Sequence, residues 1–175
     1  QHWLLDASKM GDPQRRERVF FVCLRKDLAE PFLYQKDMFT KTPKIDIDFN
    51  ESPVTYLEIK RDDPVISCAK SEKVYPSWLK WVDKCPPGRD FGYIKDPSKS
   101  KMFNCCKWSE DKAPSTITAK FDGAGYFNEQ NRHINAHEFC LSGSYPVDYK
   151  FNGIPVQHLV GMSVPPVMTA QIATE

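Results

Sequence analysis

Gly11-Asp12-Pro13-Gln14-Arg15-Arg16-Glu17-Arg18 runs straight into Val19-Phe20-Phe21-Val22-Cys23-Leu24. A turn-forming start followed by six apolar residues reads as a loop feeding a strand buried on both faces, the kind found inside α/β sheets. Three arginines and a glutamine then stand at the mouth of a core strand, and polar groups beside strand ends in open α/β sheets are candidates for a site. By spacing alone, Arg15, Arg16 and Arg18 fit a solvated basic loop equally well.

Upstream, Gln1 to Asp6 reads as a short strand and Ala7 to Glu17 as a loop. The chain opens at Gln1-His2-Trp3 rather than at a methionine, and a strand with so little before it to pair with suggests a fragment. Downstream the texture changes. Nine of the fourteen prolines lie between Pro31 and Pro114, among short apolar or alternating pieces such as Val54-Thr55-Tyr56-Leu57-Glu58-Ile59 and Val65-Ile66-Ser67-Cys68. Such punctuation predicts a small, irregular, mostly β domain, with Ser77 to Val82 as a helical turn or two. Aromatic and basic residues interleave here, from Trp78, Lys80 and Trp81 through Arg89, Phe91 and Tyr93 to Lys107 and Trp108. The cations could neutralise phosphates and the rings could line a groove, or the rings could fill a core beneath a lysine-rich surface.

Pro114 to Lys120 carries a β-branched strand signal and Asp122-Gly123-Ala124-Gly125 a flexible turn. Asn135 with Glu138 three residues on predicts a capping box opening a helix to about Leu141, closed by Ser142-Gly143. A last helix is expected from Pro165-Pro166 through Ala173. The long-range plan is a core strand, an insert and a return to the first domain.

Composition adds limits. With 24 basic and 23 acidic residues the net charge is +1, so any nucleic-acid contact must come from local patches. Six irregularly spaced cysteines do not make a disulfide framework and read as reduced intracellular thiols. No apolar run reaches membrane-spanning length and no signal-peptide pattern is present, so a soluble, cytoplasmic chain is expected.

The Gly11 to Val22 block resembles the Gln-x-Arg-x-Arg block, motif VIII, of DNA (cytosine-5)-methyltransferases. Arg132-His133-Ile134-Asn135-Ala136-His137-Glu138, continuing to Tyr145-Pro146-Val147-Asp148-Tyr149-Lys150-Phe151, resembles that family's motif IX, and Gly161-Met162-Ser163-Val164-Pro165-Pro166 its motif X. The blocks come in the family's order, and the insert lies where that family keeps its target recognition domain. The resemblance implies an α/β fold: a fragment of a Rossmann-like S-adenosylmethionine-dependent methyltransferase domain with an inserted small, mostly β target recognition domain. Residues 1–28 would end the catalytic domain, 29–125 would form the recognition domain and 126–175 would return to the catalytic domain.

By the same resemblance Arg18 matches the arginine that contacts O2 of a flipped cytosine, while Gln14 and Arg16 match positions that support it, the catalytic loop and nearby phosphates. Gly161, Ser163 and Val164 would close one side of the S-adenosylmethionine pocket, Gly161 by allowing a tight turn; Met162 stands where the family carries asparagine. Thr116, Thr118, Lys120, Gly123 and Gly125 fall where the recognition domain meets DNA, and Arg132 where it is tied to the catalytic domain. The implied partners are double-stranded DNA and the N-terminal part of the same enzyme or a complementary subunit, in a bacterial or phage-encoded restriction-modification setting. The family's Phe-x-Gly-x-Gly cofactor loop, Pro-Cys nucleophile and Glu-Asn-Val blocks are not in this sequence, so this chain is expected to be inactive alone. Cys85-Pro86 reverses the nucleophile's order and lies in the insert. A non-catalytic DNA-binding subunit or degenerate relative is the alternative. A zinc site from His133, His137, Cys140 and Cys105 or Cys106 is a third reading. Against it, no Cys-x-x-Cys knuckle is present and Asn135 as a cap would leave His133 outside the helix.

Overall fold

In the computed structural model β1 (His2–Asp6) pairs antiparallel with β2 (Glu17–Phe21), Leu4 opposite Val19 and Leu5 opposite Arg18. The structure describes residues 1–43, 45, 47–62, 80–95, 102, 104–119 and 125–174. The expected strand buried on both faces is corrected here. Burial alternates along β2, with Val19 51% and Phe21 72% exposed. Leu5 and Phe20 pack on a small core of Ala7, Met10 and Met168, joined by Phe49 and Ile172. A two-stranded antiparallel sheet with one covered face needs only alternate residues buried, so a continuous apolar run does not by itself prove two covers. Between the strands, Asp6 caps a 3₁₀ turn (Ala7–Lys9) by accepting from the Ser8 N–H at 3.1 Å, and the Ala7 N–H donates to the Arg16 carbonyl at 3.0 Å.

After α1 (Lys26–Ala29), a 3₁₀ turn (Glu30–Phe32) leads to a hairpin of β3 (Leu33–Gln35) and β4 (Lys41–Pro43). The segment read as an alternating strand piece, Val54 to Ile59, is instead helical: α2 (Tyr56–Ile59). Glu58 accepts from the Thr55 N–H at 2.7 Å, and Tyr56 and Ile59, three apart, face the core while Leu57 is exposed. That local cap and three-residue spacing outweigh β-propensity over so short a stretch. Residues 80–82 are helical; the rest of the expected turn, and Val65 to Cys68, lie outside the described residues.

β5 (Arg89–Asp90), followed by α3 (Gly92–Lys95), is an edge of a three-stranded sheet. Its neighbours are β6 (Cys105–Lys107), antiparallel to it, and β7 (Gly125–Phe127), parallel to β6. Of Pro114 to Lys120, expected as a strand, residues 114–119 join no sheet and Lys120 lies outside the described residues. α4 (Ala136–Ser142) opens as read: Asn135 and Glu138 exchange backbone-to-side-chain hydrogen bonds of 2.9 Å each way. α5 (Val156–Met162) packs on α4, and α6 (Pro166–Thr174) ends the chain close to where the last helix was expected.

The largest core joins insert and C-terminal residues: Tyr56, Trp108 and Ile117 pack with Tyr126, Phe139 and Val160. The Trp108 ring lies 5.4 Å from Tyr56 and 5.6 Å from Tyr126, centroid to centroid. Trp108 and Phe91 are therefore core residues, each almost fully buried. The described residues are thus mixed α/β, and no helix among them is long and apolar enough to cross a membrane.

Candidate functional site

Gln14 and Arg16 are both fully buried and tie three chain segments together. Arg16 donates to the Ile117 carbonyl at 3.0 Å, to the Gly161 carbonyl at 2.7 Å and to Gln14 Oε1 at 3.4 Å. Gln14 in turn donates to the Ser142 carbonyl at 3.3 Å. A planar guanidinium suits this task because its donors point in fixed directions. Burial, then the charge of Arg18, pushes the Arg16 pKa down to about 10, which leaves it charged at neutral pH. Beside it, Arg15 donates its N–H to the Pro114 carbonyl at 2.9 Å and accepts from the Thr116 hydroxyl at 2.5 Å. The loop before β2 is therefore stitched to the 114–118 segment.

Arg18 has the opposite surroundings. On β2 it is half-buried, donates to the Glu17 carbonyl at 2.7 Å, and lines a cleft of about 670 Å³. One wall comes from the β1–β2 hairpin, with Asp6, Arg15, Glu17 and Arg18. The other comes from the insert, with Gly88, Arg89 and Asp90, then Lys107, Lys112 and Thr116. Five cations (Arg15, Arg18, Arg89, Lys107, Lys112) face this cleft against three carboxylates (Asp6, Glu17, Asp90), which makes it locally basic in a chain of nearly zero net charge. Burial lowers the Arg18 pKa, so a charge is held where water is partly excluded.

The other expected site residues divide. Gly161 makes no turn: it sits inside α5, against the Thr118–Ala119 backbone. A Cβ there would fall 2.6 Å from Ala119 Cα and closer still to the Ala119 nitrogen. Its glycine is needed for close approach. Ser163 caps α5, its N–H donating to the Leu159 carbonyl at 3.0 Å and its hydroxyl to the Val160 carbonyl at 2.9 Å. Met162 and Val164 on either side of it are 70% and 41% exposed. Thr118 donates its N–H to the Tyr126 hydroxyl at 2.9 Å. Gly125, read as a turn residue, opens the buried strand β7, where the ladder to Cys105 fixes it; Lys120 and Gly123 lie outside the described residues. Arg132 spends its guanidinium on Glu138 through a two-pronged pair of 2.8 and 2.9 Å. Among the described residues no group of three His, Cys, Asp or Glu side chains is placed to hold a metal ion.

Two residues escaped the sequence reading. Glu138 is more than a cap: fully buried, it also accepts from the Tyr56 hydroxyl at 2.7 Å and the Arg61 N–H at 3.2 Å. Burial alone would raise its pKa, but the bonds from Arg132, Tyr56 and the backbone outweigh that and hold it below the usual carboxylate range. Asp12 is also fully buried, yet neither carboxylate oxygen has a hydrogen bond of good geometry. Burial raises its pKa to about 7, although Ser144, Arg16 and the Gln14 N–H lie close enough to favour the charge. Nothing local in the sequence signals either environment.

The chain is 32% identical over 78 residues to the Type II methyltransferase M.HhaI of Haemophilus parahaemolyticus, covering 44% of this chain and 24% of that protein. It is 24% identical over 171 residues to the Type II methyltransferase M.BbvI of Brevibacillus brevis, covering 93% of this chain and 44% of that protein. The chain thus spans less than half the length of these curated relatives. The family model for C-5 cytosine-specific DNA methylase matches residues 1–175, and the chain belongs to that family.

Proposed function

We propose that this chain is the C-terminal portion of a DNA (cytosine-5)-methyltransferase, with residues 1–28 and 126–175 belonging to a Rossmann-like catalytic domain and 29–125 to the target recognition domain. With the rest of the enzyme it would transfer a methyl group from S-adenosylmethionine to C5 of a cytosine flipped out of duplex DNA. The observation that carries the reading is the split of one block. Gln14 and Arg16 are consumed in holding the hairpin to the 117, 142 and 161 backbone, while Arg18, two residues on from Arg16, is left at a basic cleft.

Making C5 nucleophilic requires a thiolate to add at C6, which sends the electron pair of the C5=C6 bond toward O2 and N3. A fixed cation beside O2 therefore stabilises the transition state more than the ground state. Arg18 is the residue placed for this, and Arg16 is a positioning residue that fixes the hairpin carrying it. The thiolate has no good source among the described buried cysteines. Burial pushes Cys105 up to about 11 and Cys106 up to about 12, and it raises Cys85 as well. By the family resemblance the nucleophile is assigned instead to the N-terminal part of the enzyme.

S-adenosylmethionine supplies the methyl group. The exposed apolar surfaces of Met162 and Val164 fit the covering of part of such a cofactor, whereas the Ser163 donors are committed to α5. That last point is what favours the second reading, a DNA-binding relative that has lost methyl transfer.

The test is transfer of labelled methyl to mixed-sequence DNA by this chain alone and together with the family's N-terminal blocks. Activity only in the combination is expected. Activity in the isolated chain would overturn the nucleophile assignment, and a folded, inactive combination that still binds DNA would favour the second reading. In the active form Arg18→Ala should lower kcat by about 10²- to 10³-fold, the cost of losing one preorganised donor, with a smaller effect on DNA binding. Equal losses in both would contradict the O2 role.

A further inference from the structure

On the insert wall of the cleft, Pro86-Pro87-Gly88 turns the chain, with Gly88 at φ +74°, and delivers Arg89 as the first residue of the edge strand β5. Arg89 is exposed, and its guanidinium carbon stands 5.0 Å from the centroid of the Tyr93 ring. The neighbouring Asp90 accepts through Oδ1 from the Gly92 and Tyr93 N–H groups, at 2.7 and 3.3 Å, which fixes the start of α3, where that ring sits. Among the described residues the Arg89 guanidinium has no ion-pair or hydrogen-bond partner. Stacking holds a guanidinium by its face and leaves its edge, a planar fork of N–H donors, unspent. A fork so held suits a pair of coplanar acceptors.

We propose that Arg89 is a base-reading residue that donates both prongs to O6 and N7 of a guanine in the major groove of the bound duplex. The proposal rests on the reading of the cleft as a DNA site. Three features favour a base edge over a phosphate. Arg89 is exposed at a turn tip as the first residue of the edge strand β5, from where a side chain can reach a base edge. Its orientation is fixed by an aromatic ring, which discrimination by angle needs and simple charge neutralisation does not. Phosphate contact can be met in the same cleft by Lys112 and Arg15, whose charges need no fixed plane.

The experiment is selection from a randomised duplex pool by the full chain, followed by affinity and salt titrations with the selected duplex and single-base variants of it, for the unaltered chain and for Arg89→Gln and Arg89→Lys. Arg89 is exposed, so both variants should fold, which circular dichroism checks. The expected result is a selected guanine whose replacement weakens binding about 5- to 100-fold in the unaltered chain and hardly at all in either variant. Uniform weakening over all duplexes, with the slope of log K against log salt reduced by about 0.9, would mark a phosphate contact and overturn the proposal. So would unchanged preference in the variants, or binding by the unaltered chain without sequence preference. No binding at all by the unaltered chain would bring down the DNA reading of the cleft itself, an outcome distinct from these.

Discussion

Glu138 and Asp12 are both fully buried carboxylates with an arginine close by, and the chain treats them in opposite ways. Glu138 collects the Arg132 fork, the Tyr56 hydroxyl and the N–H groups of Arg61 and Asn135, so its desolvation is met bond by bond. Asp12 collects no bond of good geometry, and the Nε of Arg16, fully buried in the same block, is left without a partner too. The saturated site joins the 56–62 segment to α4 and does nothing but hold them. The unsaturated one lies in the loop that leads into β2, the strand carrying Arg18. Buried polar groups are nearly always satisfied, and the exceptions call for a reason. Gln14 and Arg16 beside Asp12 spend their donors on the 117, 142 and 161 carbonyls instead.

The sharpest way to break this comparison is to remove the saturated partner. Glu138→Ala would leave Arg132, the Tyr56 hydroxyl and the N–H groups of Asn135 and Arg61 without their acceptor. Taking one side from a buried pair costs about 3–5 kcal/mol. Urea denaturation should show that loss as a fall in midpoint, and a loss below about 1 kcal/mol would mean that the network is worth no more than a surface ion pair. A smaller effect is expected on the other side. Gly161→Ala would press a Cβ into the Thr118–Ala119 backbone and shift the carbonyl that Arg16 binds. Overpacking of this kind costs about 1–3 kcal/mol. If the substitution weakens methyl transfer in the complete enzyme well beyond its effect on stability, the Arg16–Gly161 bond is confirmed as part of what positions Arg18.

The saturated site was half legible in the sequence and the unsaturated one was not. Asn135 and Glu138 stand three apart, and a capping box is a local device, so its helix could be read directly. The same holds for the last helix behind Pro165-Pro166. The Tyr56–Glu138 bond joins residues 82 apart in the chain, and no local pattern signals it. Val19 to Leu24 showed its apolarity but not what would cover it, and only one face of β2 is covered. The motif resemblance located Gln14, Arg16 and Arg18 as a group. Which of the three stays at the cleft depends on where the 117 and 161 carbonyls lie, and those come from parts of the chain more than a hundred residues away. Gly161 was read as a turn because glycine signals freedom and close approach alike, and only the packed partner separates the two.

The smallest effect is the most specific, because the two carboxylates should pull stability in opposite directions with pH. Glu138 has a lowered pKa in the folded chain, so its stabilisation is present above the unfolded carboxylate value and is lost as pH falls through the folded one. Asp12 has a raised pKa, from 3.8 to about 7. The folded state therefore holds a proton that the unfolded state has released, and stability falls as pH rises between these values, with no further change from this group above them. Asp12→Asn removes that titration. Compared with the unaltered chain it should be nearly neutral at pH 4, and it should become the more stable of the two by pH 8. The gap should widen steadily between those two values, because the amide's lack of partners is the same at every pH and the whole pH-dependent part comes from Asp12. Chemical denaturation of both forms across that range checks it. A gap that stays constant with pH would mean that Asp12 keeps its charge at neutral pH, compensated by Arg16, and that the two buried carboxylates are alike after all.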